Sequence, residues 1–314
     1  MKVHHISLLT GDFERNYHMY VDVLGLRFIK NSINQGNIYM RHVYYGDFMG
    51  TPGSVVTFFP DKRFDRERRD GKNYLSGIRF KIPKGSLDYW QQRLTDFDFE
   101  LSISADRIEF RDWDAIPITL QETDEILEDW RINILSDVPA DKQLTGLLGT
   151  QIATPNLSAS TEFFNDMADG LNGVELIETS ADSLTSVWGR GSVDHIAFVV
   201  NGKKDLDAIW EKALQLGYMR ESYVDRGYFS SVYLIDPAGN RIEFATLTPG
   251  FTLDESLQNL GTTFALPPRY EERRAELQHY FEKEGVRFDK VKPVKFDEDV
   301  TVIEGEVHRD RLHL

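Results

Sequence analysis

Three side chains of this sequence are of the types that hold a redox metal, and they stand at related places: His5, His195 and Glu243. His5 is the third residue of Val3-His4-His5-Ile6, and His195 the third of Val193-Asp194-His195-Ile196. Each opens an alternating strand pattern. Glu243 sits inside Arg241-Ile242-Glu243-Phe244, where a carboxylate is costly unless it is paired, exposed or bound to a metal. Two histidines and one carboxylate brought to one point form the facial triad of non-haem Fe(II) oxygenases, which leaves positions open for substrate and O2. Mn(II) suits the same donors.

Other polar residues are weighed against blander roles. Tyr233, just ahead of the Glu243 strand, could hydrogen-bond a metal-bound phenolate or be an ordinary strand aromatic. His42, within Tyr39-Met40-Arg41-His42-Val43-Tyr44-Tyr45, could move protons beside a metal or simply pack. Arg226, Tyr228 and Phe229 read as a pocket edge. His4 alternates to the other face of its strand and reads as structural or surface. His18 reads as the solvated face of a helix, and His279, His308 and His313 as surface residues of a charged C-terminal stretch.

The elements that must position these residues repeat. The strands at His5 and at His195 each lead through a polar turn into an amphipathic helix ending in Leu24-Gly25-Leu26 or Leu216-Gly217-Tyr218, with glycine where a helix C-cap needs φ > 0. Further strands follow, the last two joined by Asp236-Pro237-Ala238-Gly239-Asn240, a tight-turn sequence. Weaker copies start near Ser76 and Leu147, the latter with strands expected at 174–178 and 185–188. The expected unit is βαβββ, four times at a spacing of roughly 50–70 residues, giving an α+β fold. The expected layout is a first domain over 1–125, a linker over 126–142, a second domain over 143–250, and a C-terminal helix and tail over 251–314. In the middle units the histidine position becomes Gly77 and Gly146 or Leu148, so one metal site is expected. It forms if the first and fourth units pair, within one chain or across a homodimer.

Composition narrows the function. The chain has 314 residues, 28% charged and with a net charge of −15, so a surface made to neutralise nucleic-acid phosphates is not expected. No apolar run is long enough for a membrane span, and the N-terminus enters strand pattern without a signal peptide's apolar block. With no cysteine there is no disulfide and no thiolate ligand, which points to a cytoplasmic protein whose metal is held by histidine and carboxylate.

These motifs resemble a known family. The βαβββ units, the Val-His-His-Ile start and Asp-Pro-Ala-Gly-Asn-Arg-Ile-Glu-Phe are similar to the vicinal oxygen chelate superfamily, which includes glyoxalase I, bleomycin-resistance proteins and extradiol dioxygenases. His42 to Asp47 with Thr57 to Pro60, Asp225 to Ser231, and Thr248 to Phe251 with Asp254-Glu255 resemble its bacterial ring-cleaving, hydroquinone-type dioxygenase branch. The resemblance covers about 1–285 and implies two barrel-like modules of paired units. It implies His5, His195 and Glu243 as Fe(II) ligands, Tyr233 as the catalytic tyrosine, and a small catecholic or hydroquinone substrate cleaved with O2. The extradiol enzymes' histidine ahead of that tyrosine has no match, since Val224 and Asp225 stand there, and His42 is the substitute acid–base. Glyoxalase I-like sites use a fourth, carboxylate ligand; here the matching position is Thr57, whose neutral hydroxyl leaves three coordination positions open. The alternatives are a glyoxalase-type lyase or isomerase acting on a thiol adduct, and a non-enzymatic aromatic-binding protein.

Overall fold

The computed structural model describes residues 1–294 and the backbone of 302–303 and 306–307. His308 and His313, read above as surface residues, lie outside the described residues. The first unit runs β1 (Val3–Thr10), α1 (Phe13–Tyr17) continued by a π-helical turn (His18–Val23), β2 (Arg27–Asn34), β3 (Asn37–Gly46) and β4 (Val55–Pro60). Asp12 caps α1 by accepting from the Glu14 and Arg15 backbone amides. The second unit comprises β5 (Tyr74–Pro83), α2 (Leu87–Asp96), β6 (Ser102–Ile103), β7 (Arg107–Arg111) and β8 (Pro117–Thr123). The fourth comprises β11 (Val193–Val200), α4 (Lys203–Leu216), β12 (Met219–Asp225), β13 (Ser230–Ile235) and β14 (Arg241–Thr246). Gly25 and Gly217 adopt φ of +74° and +77°, as helix ends of this kind require.

The third unit departs from the expected pattern. It has β9 (Gly146–Thr154), α3 (Leu157–Ala168) and β10 (Val174–Glu178), but no strand at 185–188. The polar, glycine-bearing segment there satisfies its backbone against the 66–72 loop instead, through isolated bridges at Val187–Arg69 and Arg190–Glu67.

Two sheets carry the fold, which is α+β with few helices. The eight-stranded sheet has the order β12-β13-β14-β11-β1-β4-β3-β2 and unites the first and fourth units. The six-stranded sheet, β10-β9-β5-β8-β7-β6, unites the second and third. Segments 1–125 and 143–250 therefore each contribute one unit to either sheet. At the centre of the larger sheet β1 runs antiparallel to β11, flanked by parallel partners β4 and β14. Every residue of β1 is buried, because sheet and helices cover both its faces.

After β14 the chain crosses back over the first unit. Ala265 donates its amide to Asn31 O, covering the edge of β2. Lys30, fully buried on β2, is held by Asp254 and, at 2.7 Å, by Glu255. The helix α5 (Arg274–Lys283) packs Leu277 and Phe281 against Ile33 and Phe264.

Candidate metal centre

Strand register explains why His5, His195 and Glu243 meet. Across β1 and β11, His5 pairs with Ala197 and Ser7 with His195; across β11 and β14, Ala197 pairs with Glu243. His5, Ala197 and Glu243 thus form a row over three strands, and His195 reaches in from two residues back on the same face of β11. The turn that aims β14 is fixed by Asp236, whose Oδ1 accepts from the Ala238 and Asn240 amides, and by Gly239 at φ +91°.

The three donor atoms converge. His195 Nε2 lies 2.8 Å and His5 Nε2 3.2 Å from Glu243 Oε2, and the two ring nitrogens are 3.3 Å apart. Three donors about 2.1 Å from one ion, at right angles to each other, stand about 3 Å apart, so this spacing fits a facial set. The chemistry of the set fits too. Glu243 is fully buried, and neither carboxylate oxygen has a hydrogen-bond partner despite the nearby ring nitrogens. Burial pushes its pKa up, while the charge that His5 and His195 carry when protonated outweighs burial and holds it well below the carboxylate range; with the two Nε2 atoms unprotonated, a bound cation would take over that role. A buried, ionised carboxylate without donors is what a cation would satisfy.

Each histidine is oriented from behind. His195 Nδ1 bonds Asp194 Oδ2, and Asp194 pairs with Arg241 Nη1 at 3.0 Å. A carboxylate on the rear nitrogen fixes the tautomer that leaves Nε2 free for a metal. His5 Nδ1 lies 2.9 Å from His4 Nδ1, and His4 Nε2 3.3 Å from Thr246 O. His4 is buried, and burial first, then the neighbouring His5, depress its pKa to about 3. A neutral His4 facing a carbonyl must carry its proton on Nε2, so its Nδ1 accepts from His5 Nδ1–H and His5 Nε2 presents a lone pair. Sequence reasoning missed these supports. The adjacent Asp194-His195 pair was the available signal for one; nothing in the sequence signals the role of His4.

A cavity of about 290 Å³ is lined by His5 and His195, with Arg226, Phe229, Tyr233 and His42 also in its walls. Tyr233 pairs in register with Glu243, and its hydroxyl accepts from Arg226 Nε at 3.1 Å. Burial, then Glu243, raises the Tyr233 pKa well above the phenol range, so its O–H stays protonated. His42 is neutral for the same first reason, burial. Its Nε2 bonds Thr57 Oγ1 at 2.8 Å and its Nδ1 the Tyr44 hydroxyl at 2.8 Å, with Phe59 stacked on the ring. Thr57 also bonds Ser7 Oγ at 2.7 Å. Tyr228 is not brought to this cavity: it is buried on the far side of Phe229, hydrogen-bonded to Asp254 at 2.8 Å. His18 bonds Asp22 at the surface and stacks on Trp113.

No family model matches the sequence. Over 307 aligned residues the chain is 30% identical to a Bacillus subtilis (strain 168) protein named as a ring-cleaving dioxygenase, MhqA, with 88% of this chain and 96% of the relative covered. The chain belongs to the vicinal oxygen chelate superfamily, in its ring-cleaving dioxygenase branch. Within that branch it is also 28% identical, over 88% of its length and 94% of the relative's, to a chlorohydroquinone/hydroquinone 1,2-dioxygenase of Sphingobium indicum. The fold agrees with a crystal structure of a Bacillus subtilis dioxygenase, with a TM-score of 0.79 at 24% identity over 94% of this chain and 99% of that one. Glyoxalase I of Zea mays shares the fold at a TM-score of 0.56 and 11% identity, over 79% of this chain and 92% of that one.

Proposed function

We propose that this protein is an Fe(II)-dependent dioxygenase that cleaves the ring of a hydroquinone-type or catecholic substrate. The observation that carries the reading is the donor set itself: two imidazole nitrogens and one buried carboxylate within 3.3 Å of one another, at the end of an aromatic-walled cavity. His5, His195 and Glu243 would hold the iron. Bound Fe(II) supplies a redox-active centre at which a ring oxygen and O2 can be brought together. Mn(II) remains compatible with the donors. The same reading takes each sheet as one module of paired βαβββ units.

The chain's own residues then do the following. Arg226 places a cation beside the cavity, where it favours an ionised ring oxygen. The Tyr233 hydroxyl already accepts from Arg226, so its own proton is available to donate to that oxygen. Phe229 and Phe59 give the ring an apolar slot that excludes water. His42 has both ring nitrogens engaged, so it exchanges a proton with the cavity only by way of Tyr44 or Thr57. Thr57, tied to Ser7 and His42, offers no charged fourth ligand, which speaks against a glyoxalase-type site.

The test is His195→Ala. It should abolish iron retention and oxygen uptake with hydroquinones while circular dichroism stays native; a variant that keeps its iron would overturn the ligand assignment.

A further inference from the structure

A second cavity adjoins the first. It measures about 210 Å³ against about 290 Å³, and the two share Trp188, Asp194 and Arg241 as a common wall. Two of those three are fixed. Arg241 pairs with Asp194 at 3.0 Å and with Glu221, and Asp194 bonds His195. Trp188 is held by nothing comparable. It is 56% exposed, and its indole N–H donates to no group among the described residues.

Its backbone, in contrast, is pinned. Val187 and Arg69 exchange both backbone hydrogen bonds, at 2.9 and 3.0 Å, and the Arg190 amide donates to Arg66 O at 2.8 Å. Ser186 Oγ accepts from the Gly71 amide at 3.0 Å. At Gly189 the two loops approach so closely that a Cβ would stand 2.5 Å from Arg66 O. The loop is therefore a hydrogen-bonded mount carrying one exposed aromatic side chain, whose rotamer can change without opening the loop.

We propose that Trp188 is a side-chain gate that sets substrate size: in one rotamer it walls off the metal-facing cavity, and in another it admits a ring substituent to the adjoining one. The lining of that second cavity says what kind of substituent. Arg68, Arg69 and Arg241 are matched by Asp70, Asp194 and Glu221, so neither sign of charge is favoured; Asn73, Ser186 and Asn240 add uncharged polar groups, and Leu75, Val187 and Ile235 supply apolar surface. The class is an uncharged alkyl or alkoxy group on a hydroquinone ring, with the indole stacking over the ring edge. This rests on the ring-cleaving reading above.

The experiment compares Fe(II)-loaded wild type, Trp188→Ala and Trp188→Phe. Binding of hydroquinone and of tert-butylhydroquinone is measured by calorimetry without oxygen, and kcat/KM is then measured for both with oxygen. Trp188→Ala should raise the tert-butyl-to-unsubstituted ratio about tenfold in both measurements, the lower end of what one or two methylenes are worth in a binding pocket. Trp188→Phe should fall between, and serves as the test if the alanine variant fails to fold. A ratio unchanged by the substitution, or no binding of either ring, overturns the gate. Wild-type protein that binds both rings but consumes no oxygen overturns the ring-cleavage reading, while the binding ratio still decides the gate.

Discussion

Replacing His4 with phenylalanine should weaken metal binding although His4 touches no metal. The His4 ring is buried, its Nε2 faces the Thr246 carbonyl at 3.3 Å, and its Nδ1 lies 2.9 Å from His5 Nδ1. Phenylalanine preserves the ring's shape and its packing on Phe229, whose centroid is 5.1 Å away, but removes the acceptor for His5 Nδ1–H. That proton would be left buried without a partner, and the imidazole would be free to turn or to adopt the other tautomer, with its proton on the nitrogen that faces Glu243. Loss of such a rear partner costs about 10–100-fold in metal affinity, or about 1.4–2.7 kcal/mol. Glutamine at the same place keeps an acceptor and should recover most of it. The assay is anaerobic competition for Fe(II) or Mn(II) against a chromophoric chelator, with circular dichroism as the folding control. Unchanged metal affinity in His4→Phe would refute the tautomer argument.

Other outcomes follow from the same structure. Thr57→Glu places a carboxylate where glyoxalase-type sites have a fourth ligand; metal retention should hold or rise while oxygen uptake falls at least about tenfold, read by metal analysis and an oxygen electrode. Lys30→Met leaves Asp254 and Glu255 as buried carboxylates without their cation and should cost about 3–5 kcal/mol in urea unfolding, largely restored in Lys30→Met/Asp254→Asn/Glu255→Gln. Asp112 is buried, and burial, then Asp114, lifts its pKa to about 7. The folded state therefore binds a proton that the unfolded chain has released, and this group makes stability fall as pH rises from about 4 to about 7, by up to about 1.4 kcal/mol per unit. Asp112→Asn should flatten that slope in denaturation curves taken across the range; a slope identical to wild type would contradict the assignment.

How far the sequence could be read depended on what kind of order carried the information. His5 and His195 were legible because they occupy the same place in two copies of one unit, and Glu243 because a carboxylate interrupts an apolar strand after a recognisable turn. The pairing of first and fourth units follows from requiring those three to meet. His4 was not legible. Strict alternation sends it to the face opposite His5, but the β1–β11 pairing slips between Val3 and His5, and the two rings end in contact with centroids 5.0 Å apart. Both faces of β1 are also covered, so a residue off the site face is buried rather than exposed. The third unit misled in another way. Residues 185–188 satisfy their backbone against a loop of another unit, a long-range choice that no local pattern encodes. Tyr228 and Phe229 are neighbours in sequence, and the bend between β12 and β13 that carries them sends one to the Asp254 side and the other to the cavity.

The most direct test of the central claim is labelled-oxygen incorporation. Protein loaded anaerobically with Fe(II) is given hydroquinone and ¹⁸O₂, and the product is examined by mass spectrometry. Cleavage by this site predicts a ring-opened product with both labelled atoms and one O2 consumed per ring. Iron-bound protein that consumes no oxygen, yet isomerises a thiol adduct without it, would contradict the account and assign the same three ligands to glyoxalase-type chemistry.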